Sequence, residues 1–425
     1  MRSRSDSASA KKRILSLRRI AWAAAFTIVY WLSAPVWAAQ PPDEGAASAM
    51  DDGPAEADAA SSDVLHLDRP VSGEPAPEFA ALDKAILEFM ELDRATAGVV
   101  AVSYNGRLLF SHGYGWTDKE RTKPTPPDAM LRVASVSKPI TAAAVKQLMR
   151  EDKFTSETKV FEYLGLEPPE GAKVDPRLWD ITIGELLRHR GGWDRKKSFD
   201  PAFAMQRVQD GLGLDHPPRA IDIVRYMMGQ PLQFDPGERS AYSNFGYIAL
   251  GRVIEKASGK TYDDYLRNDL LKPQGIVDIQ VGRDEAKDRA PRDVWYPAEK
   301  LRVEVMDACG GLIASAPALC KFMDRFWISG EPRRPGQRGQ HWLFFGSIPG
   351  TTAMVNQRSD GYNVAAIFNA RRPGFFNDEN PGVKPRVDSA LAEILPALAS
   401  LRPETPVTQT SPSAARRETE GQAIR

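Results

Sequence analysis

Apolar positions along the chain recur with two periods, and the change from one to the other outlines the elements. Leu82, Ile86, Phe89 and Met90 repeat at three- and four-residue spacing, which predicts an amphipathic helix, followed by a break at Gly98. The run Val99 to Tyr104, the pair Asn105-Gly106 and the run Arg107 to Phe110 then predict a β-hairpin, because an Asn-Gly pair accepts the positive φ that a two-residue turn requires. A second hairpin is expected near the other end, from Thr351 to Asn356, through Asp360-Gly361, to Val364 to Phe368. Between the hairpins helical spacing dominates, in Lys138 to Arg150, Gly184 to Leu187 and Tyr247 to Ser258, and a last amphipathic stretch runs from Val387 to Leu398.

Strands at both ends with helices between them predict an α+β fold. One antiparallel sheet forms from the N- and C-terminal parts, flanked by helices, with a mostly helical insertion subdomain packed beside it. The junction of sheet and insertion is a natural place for a cleft.

Composition sharpens this picture at the ends. A basic opening (Arg2, Arg4, Lys11 to Arg13, Arg18, Arg19) leads into an apolar run from Ile20 to Trp37 that ends in small residues, so residues 1–38 read as a signal peptide or a signal anchor. Residues 39–74 read as a disordered acidic spacer and 401–425 as a disordered tail, which leaves 75–400 as the folded body. The body is expected outside the cytoplasm, periplasmic or extracellular, and membrane-anchored only if the apolar segment is not cleaved. The 56 basic and 56 acidic residues cancel, so the electrostatic footprint of nucleic-acid binding is absent and a small-molecule partner is expected. Five scattered histidines and two cysteines provide no ligand spacing, so neither a metal nor a cofactor is expected. Cys309 and Cys320 could pair in an oxidising compartment; the alternative is two small core residues flanking a turn.

The chemistry-bearing candidate is Ser135-Val136-Ser137-Lys138. If this S-x-x-K segment opens a helix, the serine hydroxyl and the lysine amine lie on one face within hydrogen-bonding reach. A lysine withdrawn from water in a cleft can serve as a base, and Pro139 suits a first helical turn. The same triplet spacing occurs at Ser9 to Lys12 and Ser156 to Lys159, so spacing alone leaves Ser135 open to a plain helix-capping role; only Ser135 has an apolar approach and a long amphipathic helix after it. Tyr242-Ser243-Asn244 is the one Y-x-N triplet: a phenol can relay a proton and a carboxamide can hold a substrate carbonyl and the lysine. Alone, Tyr242 could equally be a packed residue at a helix start.

With these segments in hand, the chain resembles the serine β-lactamase and penicillin-binding-protein-like family, which includes class C β-lactamases, D-alanyl-D-alanine carboxypeptidases and related esterases. The landmarks are Gly113-Tyr114-Gly115, RVASVSKPIT, ITIGELLRHRGG, FDPGERSAYSNFGYIALGRVIEKASG, GGLIASAPALCKF and IPGTTAMVNQRSDG, in that order across nearly the whole body. The resemblance implies the β-lactamase/transpeptidase-like fold, an acyl-enzyme at Ser135, and general acid and base duties shared by Lys138 and Tyr242. Asn244 would support Lys138 and contact the acyl group. The backbone N–H groups of Ser135 and Ser347, beside Gly346, would form an oxyanion hole worth ~3 kcal/mol of barrier. His189 is read as a structural residue that orients a loop near the cleft.

One position departs from the family. Its edge strand carries Lys or His, a small residue and Gly, whereas here Phe344-Phe345-Gly346 stands in that register. A phenyl ring cannot bind a substrate carboxylate. The resemblance therefore implies an exported serine hydrolase acting as an esterase or amide hydrolase on a small-molecule ester, amide or peptidoglycan-related substrate. The alternatives are a D-alanyl-D-alanine carboxypeptidase or β-lactamase, and a non-catalytic envelope binding protein or penicillin sensor. Replacement cations would come from Arg333, Arg334 and Arg338, or from Arg371 and Arg372.

Overall fold

A computed structural model of the chain describes residues 69–297, 301–371 and 382–398. Its strands, in chain order, are β1 (Val71–Ser72), β2 (Ala97–Tyr104), β3 (Arg107–Gly115), β4 (Leu131–Arg132), β5 (Ile279–Val281), β6 (Leu312–Ala314), β7 (Trp342–Ile348), β8 (Thr351–Gln357) and β9 (Tyr362–Phe368). Six of them form one antiparallel sheet in the order β1-β3-β2-β9-β8-β7, and β4-β6-β5 form a small second sheet. Both expected hairpins are present, β2 with β3 and β8 with β9, and Asn105 and Gly106 take φ of 51° and 85° at the first turn. The N-terminal and C-terminal contributions meet at the sheet centre, where Val99 lies opposite Ile367.

Alternation along the central strands splits the interior in two. Val99, Ala101, Ala365 and Ile367 face one core, shared with the helices Ser137–Arg150, Asn244–Ser258 and Ala316–Arg325. Val100, Val102, Val364, Ala366 and Phe368 face the other, closed by the helices Ala80–Leu92 and Val383–Leu398. A strand buried on both faces reads as a continuous apolar run, which is why VVAV and VAAIF lack polar alternation. The helical insertion packs on the first core, beside the β7 edge.

One expectation is corrected and one open alternative is decided. Residues 71–72 belong to the sheet and not to a spacer ending at 74, since Val71 pairs with Tyr114 and Ser72 with Gly113. Cys309 and Cys320 are free buried thiols, so the core-residue alternative holds: burial pushes the Cys309 thiol up to about 12, and Cys320 donates to the Ala101 carbonyl. The expected signal segment and tail lie outside the described residues. Among the described residues no helix is long and apolar enough to cross a membrane.

Candidate active site

Ser135 sits in a single 3-10 turn, Ala134–Val136, that runs directly into the Ser137–Arg150 helix. The preceding Ala134 is held at φ 49°, a left-handed conformation that alanine adopts at a cost, and the turn is pinned by Val133 N donating to Leu312 O and by Ser137 Oγ donating to Ala134 O. The result is a sharp entry that leaves Ser135 partly exposed while Ala134, Val136, Ser137 and Lys138 are buried.

Three residues along, Lys138 Nζ donates to Ser135 Oγ at 3.2 Å, as the helical spacing predicts. The ammonium is fully buried and also donates to Asn244 Oδ1 at 2.8 Å and to the Cys309 carbonyl at 2.5 Å, so each of its three hydrogens has an acceptor. Tyr242 Oη donates to Ser135 Oγ at 2.7 Å from the other side. Ser243 caps the Asn244–Ser258 helix by accepting from Gly246 N, and this cap places Tyr242 just outside the helix and Asn244 in its first turn. The two sequence motifs thus converge on one hydroxyl.

The other S-x-x-K segments do not form this arrangement. Ser156 donates to Glu157 and Lys159 pairs with Asp180 on the surface, while Ser9 to Lys12 lie outside the described residues.

The loop Leu187 to Gly192 fixes Tyr242 in place. A capping box joins Thr182 and Glu185 at the start of the short helix Ile183–Leu187, and His189 follows at φ 56°. From there His189 O accepts from Ala241 N at 2.8 Å and His189 Nδ1 accepts from Ser243 N at 3.2 Å. The imidazole lies 4.7 Å from the Tyr242 ring and 5.2 Å from that of Tyr247. Burial, and secondarily the Lys138 charge, lower its pKa to about 3, so His189 is a neutral support for the tyrosine around neutral pH.

On β7, Phe344, Gly346 and Ile348 share the face that looks onto the core beneath Ser135. A Cβ added at Gly346 would lie 2.0 Å from Val133 O and 3.1 Å from Ser135 N, so glycine permits this strand to abut the Ser135 turn. Ser347, next along, brings its backbone to the same edge; its hydroxyl is buried without a partner.

Arg333 and Arg338 do not supply a cation here. Ser347 stands in the row Ser347, Thr352, Phe368, Gly98, whereas Arg333 donates to Asn363 in the row Trp342, Gln357, Asn363, Ser103 at the opposite end of the sheet. Arg338 reaches Tyr104 at that same end, and Arg334 sits beside Arg333 in the exposed segment that closes on Gln337. Arg371 follows β9 at the Ser347 end, and Arg372 lies outside the described residues.

A different arginine is present. Arg195 places its guanidinium carbon 4.9 Å from the centroid of the Tyr242 ring, with 13% of its side chain exposed, and its Nη1 is 3.5 Å from Asp200 Oδ2. That same carboxylate oxygen accepts from Asn244 Nδ2 at 2.7 Å. The sequence carried no signal for this pair: WDRKKSFDP reads as a solvated loop, with neither residue at a motif spacing. Among the described residues no cluster of His, Cys, Asp or Glu could hold a metal ion.

Comparison with known proteins agrees with this architecture. A 34% identical relative over 48% of this chain and 48% of its own length is "Putative fimbrial assembly protein FimD, serogroup D" of Dichelobacter nodosus. "Esterase EstB" of Burkholderia gladioli is 30% identical over 47% of this chain and 50% of its own. The chain thus spans about half the length of these curated relatives. Among solved structures, D-amino acid amidase from Ochrobactrum anthropi, in complex with L-phenylalanine, superposes with a TM-score of 0.57 at 21% identity, over 75% of this chain and 98% of that one, and so shares the fold. The Beta-lactamase family model matches residues 82–373, which is more than half of the chain and includes both strand contributions and the Ser135 turn; the chain belongs to the beta-lactamase family.

Proposed function

We propose that this protein is an exported serine hydrolase that forms an acyl-enzyme at Ser135 on an uncharged ester or amide. The observation that carries the reading is the double approach to one partly exposed hydroxyl, by Tyr242 Oη at 2.7 Å and Lys138 Nζ at 3.2 Å. Tyr242 is the nearer and relays a proton: as Oγ bonds the acyl carbon, Tyr242 Oη accepts the Ser135 proton while its own hydrogen, released from Ser135 Oγ, turns to the leaving atom. Lys138, with its hydrogens already committed to Ser135, Asn244 and Cys309, holds positive charge beside the developing negative oxygen. Tyr242 then hands the proton to the departing alkoxide or amine as its bond to carbon breaks. Deacylation reverses the roles: water attacks the acyl carbon, its proton travels by Tyr242 back to Ser135 Oγ, and the carboxylic acid leaves. The Ser135 and Ser347 N–H groups face the acyl oxygen, and Asn244 supports Lys138.

Phe344 supports the substrate class. It stands on the nucleophile's side of β7 where a cation would recognise a carboxylate, and offers apolar surface there. The names of an esterase and an amidase among the similar proteins fit the same class. Export rests on the basic and apolar opening of the chain.

Intact mass spectrometry after exposure to a fluorophosphonate, a penicillin and an activated ester, with Ser135→Ala in parallel, tests the reading. Stoichiometric labelling and ester turnover that vanish in Ser135→Ala are expected. Labelling that persists in Ser135→Ala would sink the nucleophile assignment. No adduct with any reagent would indicate a binding protein, and a lasting penicillin adduct without ester turnover a peptidase or penicillin sensor.

A further inference from the structure

We propose that Arg195 and Asp200 are positioning residues for the Ser135 chemistry, closing a ring that sets the Asn244 carboxamide and the Tyr242 phenol at once. This rests on the hydrolase reading above. The ring can be traced atom by atom: Ser135 Oγ to Lys138 Nζ, Lys138 Nζ to Asn244 Oδ1, Asn244 Nδ2 to Asp200 Oδ2, Asp200 Oδ2 to Arg195 Nη1, the Arg195 guanidinium over the Tyr242 ring, and Tyr242 Oη back to Ser135 Oγ.

The links through Asn244 have a single chemical sense. Lys138 only donates and an ionised Asp200 only accepts, so the Asn244 amide lying between them has one orientation, oxygen to lysine and nitrogen to aspartate. Removing Asp200 leaves the amide nitrogen without its acceptor and the side chain held at one end only, and Lys138 is then anchored by a looser partner. Asp200 is itself fixed, because its Oδ1 accepts from Ala202 N at 3.1 Å and caps the Pro201–Phe203 turn. Arg195 braces the tyrosine. Its cation lies 4.9 Å from the ring, Lys138 lies 4.7 Å from the same ring, and His189 lies 4.7 Å away, so the phenol is gripped from several directions while its hydroxyl stays on Ser135. The loop from Trp193 to Pro201 thereby couples the two motif residues, Tyr242 and Asn244, that differ in where they sit relative to the helix cap.

Neither residue reaches Ser135 itself, so substitutions should act on turnover with little effect on binding. With an activated nitrophenyl ester, Asp200→Ala and Arg195→Met are expected to lower kcat about 10- to 100-fold while KM stays within about threefold. Asp200→Asn, whose amide oxygen can still accept from Asn244, and Arg195→Lys, which keeps the charge, should recover most of the loss. A double-mutant cycle separates this role from a merely structural one: because Asp200 acts through Asn244, Asp200→Ala with Asn244→Ala should be no slower than Asn244→Ala alone. Additive losses, or full kcat in Asp200→Ala, overturn the proposal while leaving Ser135 in place if the wild type is still labelled there. A wild type that is neither labelled nor active removes the hydrolase reading and this proposal together. Should Asp200→Ala fail to fold, Asp200→Leu, close in size but with no acceptor for Asn244, paired with Asn244→Ala carries the same cycle.

Discussion

Gly346→Ala tests how closely β7 must approach Ser135. The added methyl would begin 2.0 Å from the Val133 carbonyl oxygen, whereas ordinary contact starts near 3.4 Å, so strand and turn must part by about 1 Å or more. Neither side yields freely, since β7 is bonded along its length to β8, and the turn is tied to Leu312 and to its own Ser137. Overpacking of this kind costs about 1–3 kcal/mol of stability. The larger effect falls on chemistry: on the proposed mechanism the N–H groups of Ser135 and Ser347 hold the acyl oxygen together, so parting turn from strand removes one donor from it. Loss of a single such donor lowers kcat by about 10²–10³-fold. Steady-state turnover of a nitrophenyl ester beside thermal unfolding measures both. A variant with kcat within about threefold of wild type and an unchanged Tm would refute the claim that this glycine sets the spacing.

Other outcomes follow from single features. Phe344→Lys places a cation on the nucleophile's side of the edge strand and should shift kcat/KM toward carboxylate-bearing over neutral esters by about tenfold or more, the worth of one charge-assisted contact; an unchanged ratio would put the side chain out of reach of substrate. Arg94→Gly should raise Tm: Arg94 holds φ 54° at the end of the Ala80–Leu92 helix, where Ala95 N bonds Met90 O and Arg94 N bonds Glu91 O, and glycine adopts that conformation more favourably by about 1 kcal/mol; a fall in Tm would refute the strain. Burial of Asp324 raises its carboxyl to about 6, so the folded protein binds that proton more tightly than the unfolded chain does. Its contribution is therefore present below about pH 4 and lost as pH rises through 6, on the order of 3 kcal/mol in all. Asp324→Asn, still able to pair with Ser103 and Asn363, should lack that fall, which parallel urea titrations at pH 4 and pH 7 would reveal as a difference that grows with pH.

Local chemistry made much of this legible in the sequence. The Asn105-Gly106 turn announces its hairpin because few other residue pairs accept two positive φ values, and Ser135 with Lys138 is a one-turn relation that the helix itself enforces. Tyr242 and Asn244 flank a serine cap, again a local device. What escaped reading depends on tertiary closure. The two-residue strand Val71–Ser72 is too short to show a period, and the three-residue strands β5 and β6 are visible only through their partners. Arg195 and Asp200 gain their meaning from Tyr242 and Asn244, which approach them only once the insertion has folded against its own loop. The arginines near residue 335 looked available for the cleft because they precede β7 in the chain, yet that strand runs away from them, so its far end carries the site.

The central pairing of β2 with β9 also dictates an order of events when the chain folds. Val99 finds Ile367 only after nearly all of the insertion has been made, and closing so long a loop is paid for before any contact rewards it. The β2–β3 hairpin must meanwhile wait with an unpaired inner edge and two apolar faces uncovered, a form prone to pairing with other chains. The strand that abuts Ser135, β7, reaches the sheet through β8 and β9 and so joins after that closure. A half-made chain can therefore hold Ser135 and Lys138 on a nascent helix and still lack the β7 wall beside them, so the surroundings of Ser135 are completed only when the C-terminal strands have docked.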